Sequence, residues 1–382
     1  MSLRSLIFWP HLVCGVAAGL VILIMSATGV LLTYEKQMIA WADAQRMPPA
    51  TADAPSLSIA DLIRSVNSAT GEPPTSIAVS ASANEPALAM VGQRRVLVDP
   101  RTGQFLGDSA PRLRAFFRTV TDWHRWLALA GEQRALGKAV TGWANLIFAF
   151  IVLSGMYLWL PRIWKWRQVR AIVWFRGGLR GKARDFNWHN AIGIWSCVPL
   201  FLVVISAMPI SFPWASNLVY RLAGEAPPVA APRPTPGGDT ASNASLPLDG
   251  LDAAWARAVT QADGWRLITV RVPTSPQAPF VFTIDRGYAG QPQHRGTLTV
   301  ARDATQPAKW ETFAAQTPGR RARSISRFLH TGEVLGLPGQ TIAGLVSLGG
   351  VVLVWTGLAL TWRRFRAWRA RADVDRAAER AA

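Results

Sequence analysis

The chain carries five histidines, and four of them fall at related positions. His11 is followed four residues later by Gly15, and His189 four residues later by Gly193. Each opens a long apolar run, and the runs later carry Ser26-Ala27 and Ser206-Ala207. His124 precedes Gly137 by 13 residues, and His330 precedes Gly339 by nine. Beyond them, Gly137, Gly142 and Gly155 are separated by 5 and 13 residues, as are Gly339, Gly344 and Gly357. Small pairs, Ser154-Gly155 and Thr356-Gly357, close both sets. Any single match is weak, because glycine is common in membrane helices, but the joint pattern describes two copies of one unit. His11 and His189 then become equivalent, as do His124 and His330, the second match carrying an offset of about one helical turn. Two histidines opposed at one membrane depth suit the two axial positions of a flat iron macrocycle, which neutral imidazole nitrogen fills. The spacing therefore predicts two haem b groups, one near each membrane face, with His11/His189 and His124/His330 as axial ligands. No C-x-x-C-H occurs, so the groups are expected to be non-covalent.

Other uses of these residues fit less well. A single interfacial histidine is more often an anchor or a cap partner. The joint placement of four out of five, together with the cost of ionisable groups at membrane depth, favours a functional role. A proton relay would want Asp or Glu inside the spans, and the apolar runs contain none. Zinc would want three or four clustered ligands. His294 beside Arg295 has no counterpart in the first copy and reads as a surface residue. Met25, Met156 and Met208 read as packing, with Met remaining a possible axial substitute. The two cysteines, Cys14 and Cys197, lie in apolar runs and exclude a disulfide framework or a Cys-rich metal site. Gly177-Gly178-Leu179-Arg180-Gly181-Lys182 matches neither a phosphate loop nor a dinucleotide fingerprint.

The elements that position these histidines follow from composition. Of 382 residues, 50% are apolar and only 17% charged, against about 25% charged in soluble domains. The formal charge is nevertheless +18. Such a chain reads as an integral membrane protein, and four runs are long enough to cross about 30 Å of hydrocarbon: Phe8–Thr33, Ala139–Leu160, Trp188–Phe212 and Gln340–Trp362. The first exceeds a secretory signal core and is expected to be retained. Basic residues crowd the loop at 161–187, with Arg167, Arg170, Arg176 and Arg184 among them, and the tail at 363–382, with Arg363, Arg364 and Arg366. Short basic loops stay in the cytoplasm, so both termini are expected there. Topology explains the positive charge, and nucleic acid drops out as a partner.

The domain reading is a first span at 1–34, an outward segment with His124 at 35–138, and a second span at 139–160. The basic loop at 161–187 and a third span at 188–212 follow. A linker and second outward segment with His330 occupy 213–339, then a fourth span at 340–362 and the basic tail at 363–382. The tail reads as a stop-transfer signal that can also lie on anionic lipid. Ala226–Ser245 is a Pro/Ala/Ser-rich linker. Each unit contains two spans, so both copies enter the membrane in the same direction, related by a pseudo-twofold axis along its normal. The outward segments read as small α+β layers. The first has a helix at Ser58–Ala69 and strands at Ser76–Ser82, Ala87–Val91 and Arg95–Asp99. The second has a helix at Leu248–Ala262 and strands at Arg266–Val272, Pro279–Asp285 and Gly296–Ala301.

Three stretches resemble the PepSY-associated transmembrane family of bacterial inner membranes: Asp122-Trp123-His124-Arg125-Trp126-Leu127, Ser154 to Arg162, and Leu329 to Gln340. The outward segments look like PepSY domains, the first ending in Val98-Asp99-Pro100-Arg101-Thr102-Gly103; the second lacks that ending. The fold expected is an integral membrane α-helical protein of four transmembrane helices in two parallel repeats, with two periplasmic α+β PepSY-like domains. The resemblance extends to di-haem ferric-siderophore reductases of the ferrioxamine type. It implies an oxidoreductase that passes electrons outward and reduces Fe(III) held between the outward domains in a siderophore, hydroxamates being the expected class. The electron donor is expected to be a quinol or a partner dehydrogenase, and membrane lipid the other partner. Two rival readings stay open: a siderophore or iron transporter, weakly favoured by Pro199 and Pro209 in the third span, and a haem-free sensor or scaffold.

Overall fold

A computed structural model of the 382-residue chain describes residues 2–49, 56–82, 84–161, 164–228, 246–288, 290–303 and 306–381. Most of the Ala226–Ser245 linker, together with Arg162 of the quoted motif, lies outside them. In chain order the first part holds α1 (Leu3–Leu32), α2 (Glu35–Ala44), α3 (Ile59–Thr70), β1 (Ser76–Ser80), β2 (Ala87–Val91), β3 (Arg94–Val98), β4 (Phe105–Asp108) and α4 (Pro111–Trp126). Then come α5 (Arg134–Trp159), α6 (Trp166–Val173), α7 (Gly181–Ser211), α8 (Pro213–Leu222) and α9 (Leu251–Gln261). The last part holds β5 (Leu267–Arg271), β6 (Phe280–Asp285), β7 (Arg295–Val300), β8 (Lys309–Thr312), α10 (Pro318–His330) and α11 (Gly336–Ala381). The chain divides into two compact units, one of Met1–Thr33, Arg118–Asn217 and Leu329–Ala382, the other of Tyr34–Phe117 and Leu218–Phe328.

The first unit is a four-helix bundle. Its helices α1, α5, α7 and α11 are long and apolar enough to cross a membrane. Helix α1 packs on α5 and α11, and α7 packs on the same two, so α1 and α7 stand on one diagonal and α5 and α11 on the other. Hydrocarbon gives helices no hydrophobic reason to associate, so small residues and polar contacts must bring them together. A Cβ at Gly344 would lie 2.8 Å from Thr33 Oγ1, and one at Gly350 2.9 Å from Ser26 Oγ, so α11 approaches α1 at these two glycines. Asn145 donates to the Val204 carbonyl at 3.0 Å and ties α5 to α7 in the bundle interior. Arg4 ties α1 to α5 through the carbonyls of Leu158 and Leu160. Helix α7 begins at Gly181, ahead of the apolar run, because buried Asp185 and Asn187 lie in its first turns. It stays helical through Pro199 and Pro209; a proline kink is tolerable where neighbouring helices resatisfy the freed carbonyls. The basic tail continues α11 without a break.

The second unit is built on one antiparallel sheet of eight strands in the order β4-β3-β2-β1-β5-β6-β7-β8. The segments between α1 and α5 and between α7 and α11 each supply a helix and four strands to it, the last of each, β4 and β8, being additional to those read from sequence. They are joined rather than separate. Strand β1 pairs with β5 from Ser76↔Arg271 to Ser80↔Leu267, so the two halves share a hydrogen-bonded seam. One core spans both, with Leu62, Ile63 and Val66 of α3 and Leu251 and Ala258 of α9 packed over Ile77, Val96, Val270, Phe282 and Leu298. A substrate position in the sheet plane between two halves is therefore closed by main-chain hydrogen bonds.

Candidate functional site

All four histidines singled out in the sequence belong to the bundle unit and form two pairs. His11 sits early in α1 and His189 early in α7, on the diagonal and within electrostatic reach of one another. His124 lies near the end of α4 and His330 at the end of α10. Their ring centres are 6.2 Å apart with the planes inclined at 44°.

Each imidazole is held by its Nδ1. His11 Nδ1 lies 2.8 Å from Ser154 Oγ of α5, and His189 Nδ1 lies 2.9 Å from Thr356 Oγ1 of α11. The Ser154 hydroxyl donates its one proton to the Phe150 carbonyl at 2.7 Å, and Thr356 donates to Val352 at 2.7 Å. A hydroxyl whose proton is spent can only accept, so Nδ1 carries the hydrogen in both rings. His124 repeats the arrangement: its Nδ1 lies 2.9 Å from Thr28 Oγ1, which donates to Ile24 at 2.6 Å. His330 Nδ1 donates to the Val203 carbonyl at 2.9 Å, an acceptor that admits one tautomer only. In all four rings Nε2 is left with its lone pair, the state that binds a metal.

The contacts recur between the halves. Ser154 and Thr356, the residues that hold the inner rings, are 202 positions apart, as are Gly155 and Gly357. A Cβ at Gly155 would lie 3.2 Å from His11 Cε1, and one at Gly357 3.4 Å from His189 Cε1. Gly29 packs on His124 in the same way, at 3.6 Å. Gly155, Gly357 and Gly29 are thus glycines that lie against the imidazole rings. The expected offset between His124 and His330 also has a cause. After α4 the chain turns through Leu127 and Ala128, with φ of 53° and 58°, before the 3-10 turn Gly131–Gln133; after α10 a single left-handed Gly332 leads into Glu333–Leu335. The longer turn absorbs the extra residues, and both rings still converge.

Burial pushes the His124 imidazolium down to about 4, aided by the positive charge His330 would carry, and burial pushes His330 down as well. Both are neutral donors at pH 7. The residues present fit a haem. Two imidazoles on opposite faces of one iron put their ring centres about 6 Å apart, from Fe–N bonds of about 2 Å and about 1 Å more to each centre. The outer pair has that separation, and the buried indole Nε1 of Trp159, one turn beyond Gly155, has no hydrogen-bond partner among the described residues. Among these residues no three of His, Cys, Asp or Glu gather into a metal cage, so the donor set is two pairs. His294 lies in the sheet unit, in the 3-10 turn Pro292–His294 beside Gly287, and not in the bundle unit that holds the four other histidines.

Two polar residues in the apolar helices escaped the sequence reading. Asn145 was legible only as an amide within a span, and Asn187 as an amide beside the basic loop. The latter is buried and donates to Ala171 and Trp174 carbonyls while accepting from the Arg176 N–H, which fixes the loop before α7.

Bundle and sheet together define a membrane protein with four apolar spans and an antiparallel α+β unit. The chain matches the PepSY-associated TM region family over residues 8–364 and belongs to that family. No curated protein matches the chain.

Proposed function

We propose that the protein is a di-haem b reductase of the bacterial inner membrane that delivers electrons outward to Fe(III) in a periplasmic ferric-siderophore, releasing Fe(II). The observation that carries the reading is the set of four histidines with bound Nδ1 and bare Nε2, paired at the two ends of one bundle. His11 and His189 would hold one haem, His124 and His330 the other. When bound, each haem supplies a one-electron iron couple, which the chain alone lacks. The protein's own part is to fix ring orientation through Ser154, Thr356, Thr28 and the Val203 carbonyl, and to keep His124 and His330 neutral by burial.

The orientation belongs to the same reading: both termini and the basic loop cytoplasmic, the sheet unit periplasmic, and two parallel repeats. It is supported by the basic bias of loop and tail, by the recurring glycine and hydroxyl contacts, and by a strand order with β1 and β5 at its centre. Fe(III) suits hard hydroxamate oxygens far better than Fe(II) does, so reduction loosens the metal. The transporter reading loses its one sequence argument, because α7 runs unbroken past Pro199 and Pro209.

The test is anaerobic. Protein reduced with dithionite, then freed of it, is mixed with ferrioxamine while its α bands are followed and Fe(II) is trapped by ferrozine. The expected result is loss of the reduced bands with matching Fe(II) release. A preparation without a Soret band removes the reading and leaves the haem-free scaffold; reduced bands indifferent to ferrioxamine remove the ferric-siderophore substrate.

A further inference from the structure

A cavity of about 510 Å³ lies beside α7 next to His189, under the loop that precedes that helix. Its lining includes Phe175, Trp188, Ile192 and Val352, together with Arg176 and Arg184. Trp188 and Ile192 flank His189 along α7, and the Val352 carbonyl accepts from Thr356, whose oxygen holds His189 Nδ1. The cavity therefore borders the residues on either side of His189 along α7 and the turn of α11 that holds Thr356.

The walls are fixed. Asn187 locks the loop through Ala171, Trp174 and Arg176, and Trp195 Nε1 donates to the Val173 carbonyl at 3.0 Å. Phe175 stands edge-on to Trp188 at 6.5 Å. Arg184 is held by two hydrogen bonds to Asp185, a buried carboxylate that also pairs with Arg363 of α11 at 2.6 Å. Asp185 is thus paired with two arginines, and the cavity lining combines Arg176 and Arg184 with apolar, aromatic walls. Exposed Trp174, Phe175 and Trp195 surround it on the outside of a bundle of membrane helices. The size falls within the usual range for small-molecule sites, about 300–1,000 Å³. The features are not duplicated: 178 positions earlier, the histidine spacing, the first half carries Trp9 for Asn187 and Ile7 for Asp185.

We propose that this cavity binds the head of a membrane quinol, the electron donor; the claim rests on the reductase reading above. A flat ring with an apolar body suits the aromatic walls and arrives from the lipid. Its two oxygens suit the guanidiniums, which favour the anion formed as an O–H proton leaves. Oxidation breaks both O–H bonds, sends two protons to water at the basic face, and yields quinone and two electrons. Those electrons reduce two Fe(III) to two Fe(II).

The probe is decylubiquinone, titrated calorimetrically into the full-length, haem-loaded protein in detergent, with an azido-quinone used on wild type to map the labelled peptide. Saturable binding and labelling within 175–192 or around Val352 are expected. Ile192→Trp and Val352→Trp fill the cavity from two helices and should weaken binding about tenfold or more, with haem content and elution profile unchanged. Normal haem content without saturable binding overturns the proposal. So does label confined elsewhere, or binding that both filled variants retain, or displacement of the probe by phosphatidylglycerol, which would mark a lipid headgroup site. Saturable binding to a preparation that holds no haem keeps the quinone site and removes the reductase reading instead.

Discussion

Replacing Ser154 with Ala takes away the acceptor 2.8 Å from His11 Nδ1 and leaves the ring itself intact. A buried N–H that loses its acceptor costs about 1–3 kcal/mol. At about 1.4 kcal/mol per factor of ten, haem at the inner pair should be held roughly 5- to 150-fold more weakly. Loss of the hydrogen-bond partner of a ligating histidine costs about 10–100-fold in metal affinity elsewhere, which falls inside that range. Thr356→Val does the same to His189 with almost no change of volume, and Thr28→Val does it to His124. No side-chain substitution reaches His330, because its acceptor is the main chain of Val203. The assay is haem transfer from the purified protein to excess apomyoglobin, followed by absorbance. Two phases are expected, one per pair. Ser154→Ala and Thr356→Val should accelerate one phase and Thr28→Val the other. The tautomer argument fails if Ser154→Ala leaves both phases unchanged, or accelerates the phase that Thr28→Val accelerates.

Gly137→Ala should disturb the His124/His330 pair alone, since its Cβ would run into the Trp126 carbonyl, an unyielding main-chain contact in the turn after His124. Overpacking of this kind costs about 1–3 kcal/mol or more, and the spectrum should lose the outer haem first while thermal stability falls. His294→Ala should keep both haems, because that residue lies outside the bundle unit; loss of one haem on purification would reassign an outer ligand. A reporter fused after Arg176 should read cytoplasmic, and one inserted at Pro236 periplasmic; the reverse pattern would invert the proposed electron path.

The histidine pairing was legible because a repeated helical unit leaves a spacing that survives in the sequence: Gly142 to Gly155 and Gly344 to Gly357 span the same 13 residues. What holds the rings was half visible. The small pairs Ser154-Gly155 and Thr356-Gly357 stood out, but a hydroxyl that spends its proton on the preceding turn becomes an acceptor only once the partner helix is in place. The glycines against the imidazoles were hidden for a related reason: the His11 and His189 rings lie over Gly155 and Gly357 of neighbouring helices, a contact that exists only once those helices are paired. The single eight-stranded sheet was hidden further, since the β1–β5 pairing joins residues such as Ile77 and Val270. Two edge strands of like composition carry no local sign of which edge they will meet. The extra turn after His124 was read as an offset of one helical turn; its cause, left-handed Leu127 and Ala128, contradicts the residue preferences a sequence reading relies on.

The central claim is two histidine pairs, each holding one haem. A pyridine haemochrome assay on fully loaded, quantified protein tests it most directly. The account predicts two non-covalent haem b per chain, extractable by acid acetone. About one haem per chain, or none, would contradict the pairing of His11 with His189 and His124 with His330.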